Sequence, residues 1–317
     1  MNSAALPGFD DILAAAARIA PHAHATPVLR SRSIDAIAGC SLHFKAEPLQ
    51  RAGAFKFRGA CNAVWSLDAA TAARGVVTHS SGNHGGALAL AARTRSIPCH
   101  VVVPENAVAA KIAAIEAYGA TVHRCAPTIA AREAACARVQ VETGAELVHP
   151  YADPRVIAGQ GTATLELLNV AGPLDAVVVP VGGGGLASGT AIAAHALAAE
   201  CQVWGAEPSG AADTFESLRR GEHVTDFVPD TICDGLRGTL GAPGFALLRA
   251  HAVKVLTVDD ADTVTAMRLL WQRMKLLVEP SSAIALAMVL GHRQRFAGKR
   301  VGVILSGGNV DLDALPW

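Results

Sequence analysis

Short β-branched runs alternate with longer alanine-rich stretches along almost the whole 317-residue chain, and few folds accommodate that alternation. The strand-like runs are Gly75-Val76-Val77-Thr78, His100-Val101-Val102-Val103, Ala176 to Val181, Gln202-Val203-Trp204, Val253 to Val258 and Val301 to Leu305. Helix-like patterns cover 10–20, 56–66, 84–94, 105–117, 128–142, 186–199, 260–276 and 281–296. Apolar runs joined through helices predict parallel strands covered on both faces, hence an α/β fold built on open twisted sheets. The pattern divides into two clusters, a compact set of βα units near 75–145 and a second set over 150–317 with its own glycine loops. The first seventy residues must join one of them.

Composition narrows the function classes. With 51% hydrophobic residues and a formal net charge of +0, the chain can bury a large core and carries no electrostatic footprint for nucleic acid or an anionic membrane. Its seven cysteines are scattered with no C-x-x-C pair, which fits reduced thiols in a cytoplasmic protein better than a disulfide framework or a zinc site. The opening residues carry acids early and no basic region, so they do not read as a signal peptide. Residues 176–199 contain no Asp, Glu, Lys or Arg and are long enough to imitate a membrane span. Pro180 and the four consecutive glycines Gly182 to Gly185 break that stretch into a strand, a turn and a helix.

Several positions carry chemistry. Lys56, one of six lysines, lies between Phe55 and Phe57. An apolar setting disfavours the ammonium and turns a lysine into a nucleophile, although a helical lysine with its stem packed and its head in water reads the same way. Gly182 to Gly185 follow a strand and open a helix, as a phosphate cradle does. Gly182, Gly184 and Ala187 also satisfy a loose dinucleotide fingerprint with Glu207 downstream, so a nicotinamide-binding protein is a competing reading. Ser80-Ser81-Gly82-Asn83-His84 holds more polar groups than one helix cap requires and suits a carboxylate ligand. Ser306-Gly307-Gly308-Asn309 ends a strand, where open sheets place ligands. Glu207 to Asp213 supplies two acids for a Mg²⁺ or Ca²⁺ ion.

Taken together, Ala54-Phe55-Lys56, Ser80 to His84, Gly182 to Gly185 and Ser306 to Asn309 resemble the fold-type II pyridoxal phosphate enzymes, and within them the serine racemase and serine/threonine dehydratase family. Thr26-Pro27, His149-Pro150, Ile157 to Thr162, Arg273 to Pro280 and Leu305 to Asp311 extend the resemblance over nearly the full length. It implies two mostly parallel sheets flanked by helices, as in the tryptophan synthase β-subunit. A large cofactor domain would comprise 1–70 plus 146–317, and a small mobile domain over 71–145 would close on substrate.

The resemblance also implies roles. Lys56 would form the Schiff base with pyridoxal 5'-phosphate and remove the substrate Cα proton, with Ser81 as a second base on the opposite face. Phe55 and Asn83 would flank the ring, Asn83 near its phenolic oxygen, while Gly182, Gly183, Gly184 and Gly185 hold the phosphate and Ser306 meets the ring nitrogen. Ser80, Ser81, Gly82, Asn83 and His84 would bind the substrate carboxylate. Glu207, the Ala211 carbonyl and Asp213 would carry a divalent cation, Mg²⁺, Ca²⁺ or Mn²⁺. The implied activity is dehydration of serine, threonine or 3-hydroxyaspartate to an oxo acid and ammonia, with serine or aspartate racemisation as the alternative. A homodimer is the expected assembly.

Two departures bear on substrate. Gly238-Thr239 stands where animal serine racemases carry serines, and Gly86 replaces a glutamine used there in nucleotide activation. Tyr151 and Arg237 reshape the pocket instead. A second substrate carboxylate needs an extra cation, for which Arg132 and Arg237 are the candidates.

Overall fold

The computed structural model describes residues 5–107 and 109–317. Among the described residues ten strands form two sheets. They are β1 (Val28–Leu29), β2 (Ser41–Ala46), β3 (Val76–His79), β4 (Cys99–Pro104), β5 (Thr121–Cys125), β6 (Glu146–Leu147), β7 (Ala176–Pro180), β8 (Gln202–Pro208), β9 (Lys254–Val258) and β10 (Arg300–Leu305). The larger sheet has the order β1-β2-β10-β7-β8-β9 and the smaller one β5-β4-β3-β6. Among these ten strands β1 and β2 pair antiparallel and the other pairings are parallel. The smaller sheet includes Glu146 and Leu147, which pair with Val76 and Val77, so its strands run to Leu147.

Parallel strands need helices on both faces, and the sequence provides them. Residues 176–199 resolve into β7, a glycine turn and the helix Gly185–Leu197, each buried along most of its length. No helix among the described residues is long and apolar enough to cross a membrane. All seven cysteines are buried and unpaired.

The strand order sets the site. Neighbouring parallel strands end at the same edge of a sheet, so the segments that follow β2, β10, β7 and β8 lie side by side. Those segments lead to Lys56, Ser306 and Gly182 to Gly185 in that spatial order, and Glu207 stands at the end of β8 itself. The 80–84 loop follows β3 and leaves the corresponding edge of the smaller sheet.

A buried charge cluster ties down the segment that carries Lys56. Arg58, two residues after Lys56, is fully buried and donates to Glu47 at 2.8 Å, to Glu166 at 2.7 Å and to Thr162 at 3.2 Å. Lys45, equally buried, shares Glu166 and donates to the Thr26 carbonyl at 2.7 Å. Two cations face two carboxylates with their donors occupied, which is the condition under which buried charge is tolerated. The cluster joins the start of the helix Lys56–Trp65 to β2 and to the helix Pro154–Ala171.

Candidate active site

Lys56 opens its helix with the two flanking phenylalanines on different sides. Phe57 is fully buried in the core beneath the smaller sheet, while the Phe55 ring lies 5.0 Å from the Lys56 ammonium. The Phe55 amide donates to the Ser306 carbonyl at 2.9 Å, which fixes this turn against the end of β10. Lys56 Nζ donates to the Pro150 carbonyl at 3.0 Å. Burial of the ammonium lowers its pKa to about 8, and the Glu279 carboxylate opposes that shift. The head of this part-buried lysine therefore meets a backbone carbonyl of the protein, which a side chain reaching for open water does not do.

The tetraglycine loop wraps the start of the helix Gly185–Leu197. Gly184 has φ +88°, a conformation that favours glycine, and a Cβ on Gly183 would fall 2.3 Å from Cγ of Tyr151. Tyr151 therefore packs its ring directly on the loop. The open helix start beside it has the geometry that suits an anion.

Asn83 reaches across from the smaller sheet, its Nδ2 donating to Oε1 of Glu279 at 2.8 Å. Glu279 is 3% exposed, and burial, aided by Asp234, pushes its carboxyl up to about 7. Ser306 is buried, its hydroxyl 3.4 Å from the Ser281 carbonyl. Ser80, Ser81 and Gly82 are part-buried before the helix Asn83–Arg95, with Ser80 Oγ accepting from the Gly82 amide at 3.4 Å. His84 follows a different course. Its Nε2 meets the Val148 carbonyl at 3.2 Å inside the core, and burial holds its pKa well below the usual imidazole range. A neutral ring with Nε2–H directed at Val148 leaves the backbone of His84, and not its side chain, for the loop.

A further histidine, His149, lies near enough to Lys56 to feel its charge, and His79 packs against it. His149 Nδ1 accepts the Ala152 amide at 3.1 Å, so its proton resides on Nε2. Burial, then His79 and Lys56, lower its pKa to about 4, which keeps it a neutral donor. Its ring meets His79 and Tyr151 edge-on, with centroids 5.2 and 4.6 Å away.

The two candidate arginines separate. Arg132 lies in the helix Ile129–Thr143, where it acts electrostatically on His79, and its Nε is buried with no partner among the described residues. Arg237 is exposed, and its Nε donates to the Thr231 carbonyl at 3.0 Å.

In the acidic loop, Glu207 is fully buried and accepts the amides of Thr214 at 2.8 Å and Phe215 at 2.7 Å. That engagement removes it as the ribose acid of a dinucleotide site. Asp213 Oδ2 accepts the Leu240 amide at 2.7 Å, while its buried Oδ1 has no partner. Burial lifts Glu207 to about 8 and Asp213 to about 6. Ala211 is buried in the short turn between them. Among the described residues no group of three or more His, Cys, Asp or Glu side chains could hold a metal. Two carboxylates with one orphaned oxygen, completed by a backbone carbonyl and water, still fit a hard cation.

Glu279, His149 and Asn309 escaped the sequence reading as site residues. Glu279 precedes Pro280 and caps the helix Pro280–Gly291, so an acid there reads as an ordinary helix-start charge. Its role is visible only from Asn83, 196 positions away in the chain.

The buried amine, the glycine cradle that admits no Cβ and the neutral Ser306 suit the cofactor that the motifs imply. A sequence profile described as pyridoxal-phosphate dependent enzyme matches residues 19–307. The chain is 48% identical to the β-hydroxyaspartate dehydratase of Paracoccus denitrificans (strain Pd 1222), over 98% of this chain and 99% of that protein. It is also 48% identical to the serine racemase of Dictyostelium discoideum, covering 96% of this chain and 95% of that one. The structure of maize serine racemase superposes with a TM-score of 0.95 at 45% identity, covering 98% of this chain and 95% of the other.

Proposed function

The chain belongs to the pyridoxal-phosphate dependent enzyme family, and from that premise we propose that it dehydrates a small β-hydroxy amino acid, preferring 3-hydroxyaspartate to serine and threonine. The observation that carries the choice is Arg132, whose buried Nε lacks a partner beside His79. A buried guanidinium nitrogen left unpaired is costly, and a second substrate carboxylate would complete it. Similarity to a β-hydroxyaspartate dehydratase supports the same choice. Initial rates on serine, threonine and the 3-hydroxyaspartate isomers test it; serine turned over as fast as the dicarboxylate would sink the preference.

Lys56 and Gly182 to Gly185 would hold the cofactor by its aldehyde carbon and phosphate, with Phe55, Asn83 and Ser306 around the ring. Bound there, pyridoxal phosphate supplies the electron sink for the negative charge left when the Cα proton departs. Ser306 is neutral and cannot protonate the ring nitrogen fully, which tempers that sink and favours elimination. Ser80, Ser81, Gly82, Asn83 and the backbone at His84 would receive the α-carboxylate at the open helix start. Lys56 would take the Cα proton, and the β-hydroxyl, receiving a proton in turn, would leave as water. Hydrolysis of the remaining imine yields the oxo acid and ammonia.

Racemisation is the second reading, supported by the likeness to serine racemases and by Ser81, whose part-buried hydroxyl sits in the carboxylate loop. Ser81→Ala is expected to reduce formation of the D-isomer by about 10²-fold or more while sparing elimination of the isomer deprotonated by Lys56. Chiral chromatography of the products checks this; equal loss of both activities would remove Ser81 as a second base.

The cation would be Mg²⁺, held by Glu207, Asp213 and the Ala211 carbonyl. Glu207 in the folded protein keeps its proton up to about pH 8, above its usual 4.5, so stability falls as pH rises across that window. A cation that replaces the proton reverses this loss. Magnesium should therefore raise Tm more at about pH 8.5 than at about pH 5.5. A magnesium effect independent of pH would count against the site.

The same reading includes a homodimer and a reducing, cytoplasmic setting, the latter supported by seven buried, unpaired thiols. It further has 71–145 closing over substrate bound to the large domain, with the Lys111–Asp234 ion pair joining the two.

A further inference from the structure

Asn83 is more tightly constrained than a cofactor-flanking residue needs to be. Its Nδ2 donates to Glu279 Oε1 at 2.8 Å, and its Oδ1 accepts from Asn309 Nδ2 at 2.9 Å. Asn309 Nδ2 also donates to the Ala52 carbonyl at 2.8 Å, four residues before Lys56. A primary amide has one oxygen and two N–H groups. With the oxygen and one N–H engaged, the orientation of the amide plane is fixed and a single N–H is left uncommitted.

The supports are themselves held. The Glu279 amide donates to the Gly307 carbonyl at 3.1 Å, and a Cβ on Gly307 would lie 2.9 Å from Glu279 Oε1. A Cβ on Gly53 would lie 2.4 Å from Asn309 Oδ1, with Gly53 at φ +71°. Both glycines thus leave room for the two side chains. The chain of contacts spans both sheets, because Asn83 opens a helix on the smaller one while Glu279 and Asn309 belong to the larger.

We propose that Glu279 and Asn309 are positioning residues that fix the amide of Asn83, so that its one free N–H serves the phenolic oxygen of the bound cofactor. This rests on the cofactor reading above. Glu279 has a second effect that does not, since its carboxylate favours the charged form of Lys56. The other charged groups acting on Glu279 are Asp234 and Lys111, which pair with each other.

Three variants test the idea, with circular dichroism confirming that each folds. Glu279→Gln keeps an acceptor for Asn83 and removes the charge, whereas Glu279→Leu removes both and Asn309→Ala frees the Asn83 oxygen from the exposed side. Cofactor dissociation constants, read from the absorbance of the loaded protein, should rise about tenfold or more in Glu279→Leu and Asn309→Ala but stay within about threefold in Glu279→Gln. In cofactor-free protein, the pH midpoint for labelling Lys56 with an amine-directed reagent should fall by about one unit in both Glu279 variants. Wild-type affinity in Glu279→Leu and Asn309→Ala would overturn the positioning role. If wild-type protein binds no pyridoxal phosphate, the cofactor reading fails, and an unchanged labelling midpoint would then overturn the Glu279–Lys56 coupling as well.

Discussion

Lys56→Ala is expected to abolish the visible absorbance of cofactor-loaded protein and to lower the elimination rate by at least about 10³-fold. Two losses would combine, because in the proposed reaction the same amine would anchor the cofactor and take the Cα proton. Burial brings Lys56 to about 8 from an ordinary value of 10.5, which raises the neutral, nucleophilic fraction at pH 7 about 300-fold over a solvated lysine. The sign of the pH dependence follows. Capture of cofactor by the cofactor-free protein should speed up as pH rises toward about 8 and level off above it, since only the neutral amine attacks. Lys56→Arg keeps a cation that does not deprotonate, and should be as inactive as the alanine variant. Both variants should retain the wild-type Tm within a few degrees, because the substitution empties a polar cleft and leaves the Phe57 core intact. An alanine variant that keeps the absorbance band would remove Lys56 from the chemistry.

Arg132→Met should lower kcat/KM for 3-hydroxyaspartate by roughly 30- to 1000-fold, the range expected when a buried carboxylate loses its guanidinium partner. The same variant should change kcat/KM for serine only a few-fold, because serine has no second carboxylate to leave unpaired. Methionine preserves most of the side-chain volume, so the comparison isolates charge and hydrogen bonding from packing. Arg237→Met is the control. Its guanidinium is committed to the Thr231 carbonyl at an exposed position, and its loss should affect the two substrates alike. A large dicarboxylate-specific loss in Arg237→Met, with none in Arg132→Met, would transfer the role from one arginine to the other.

The parts of the fold that were legible in the sequence share a physical cause. Central strands such as β7 and β10 are uninterrupted apolar runs because both faces are covered, and the glycine turn ending β7 is punctuated by residues with no side chain. Other elements gave weaker signals. β2, with the sequence Ser-Leu-His-Phe-Lys-Ala, hides a charged residue in its run because Lys45 is neutralised by Glu166, a partner 121 positions away. The helix Pro154–Ala171 is buried over most of its circumference, so it shows no polar stripe, and Gly159 and Gly161 weaken its helical signal further. There they permit close approach: a Cβ on Gly159 would stand 2.6 Å from the Cα of Gly59. The helix-like pattern over 281–296 divides at His292 into Pro280–Gly291 and Arg293–Phe296.

For the site, the local motifs determined which residue types stand ready: a lysine between phenylalanines, a polar helix start, a glycine cradle and a strand-end serine. Each is a contiguous segment, and its chemistry can be read without knowing its neighbours. What the motifs could not decide was who faces whom. Tertiary structure turned the His84 ring into the core, separated Arg132 from Arg237 and placed the Glu279 carboxyl on Asn83. Those outcomes depend on pairings between distant positions and on burial, which alters the charge of each group only after the two sheets have come together.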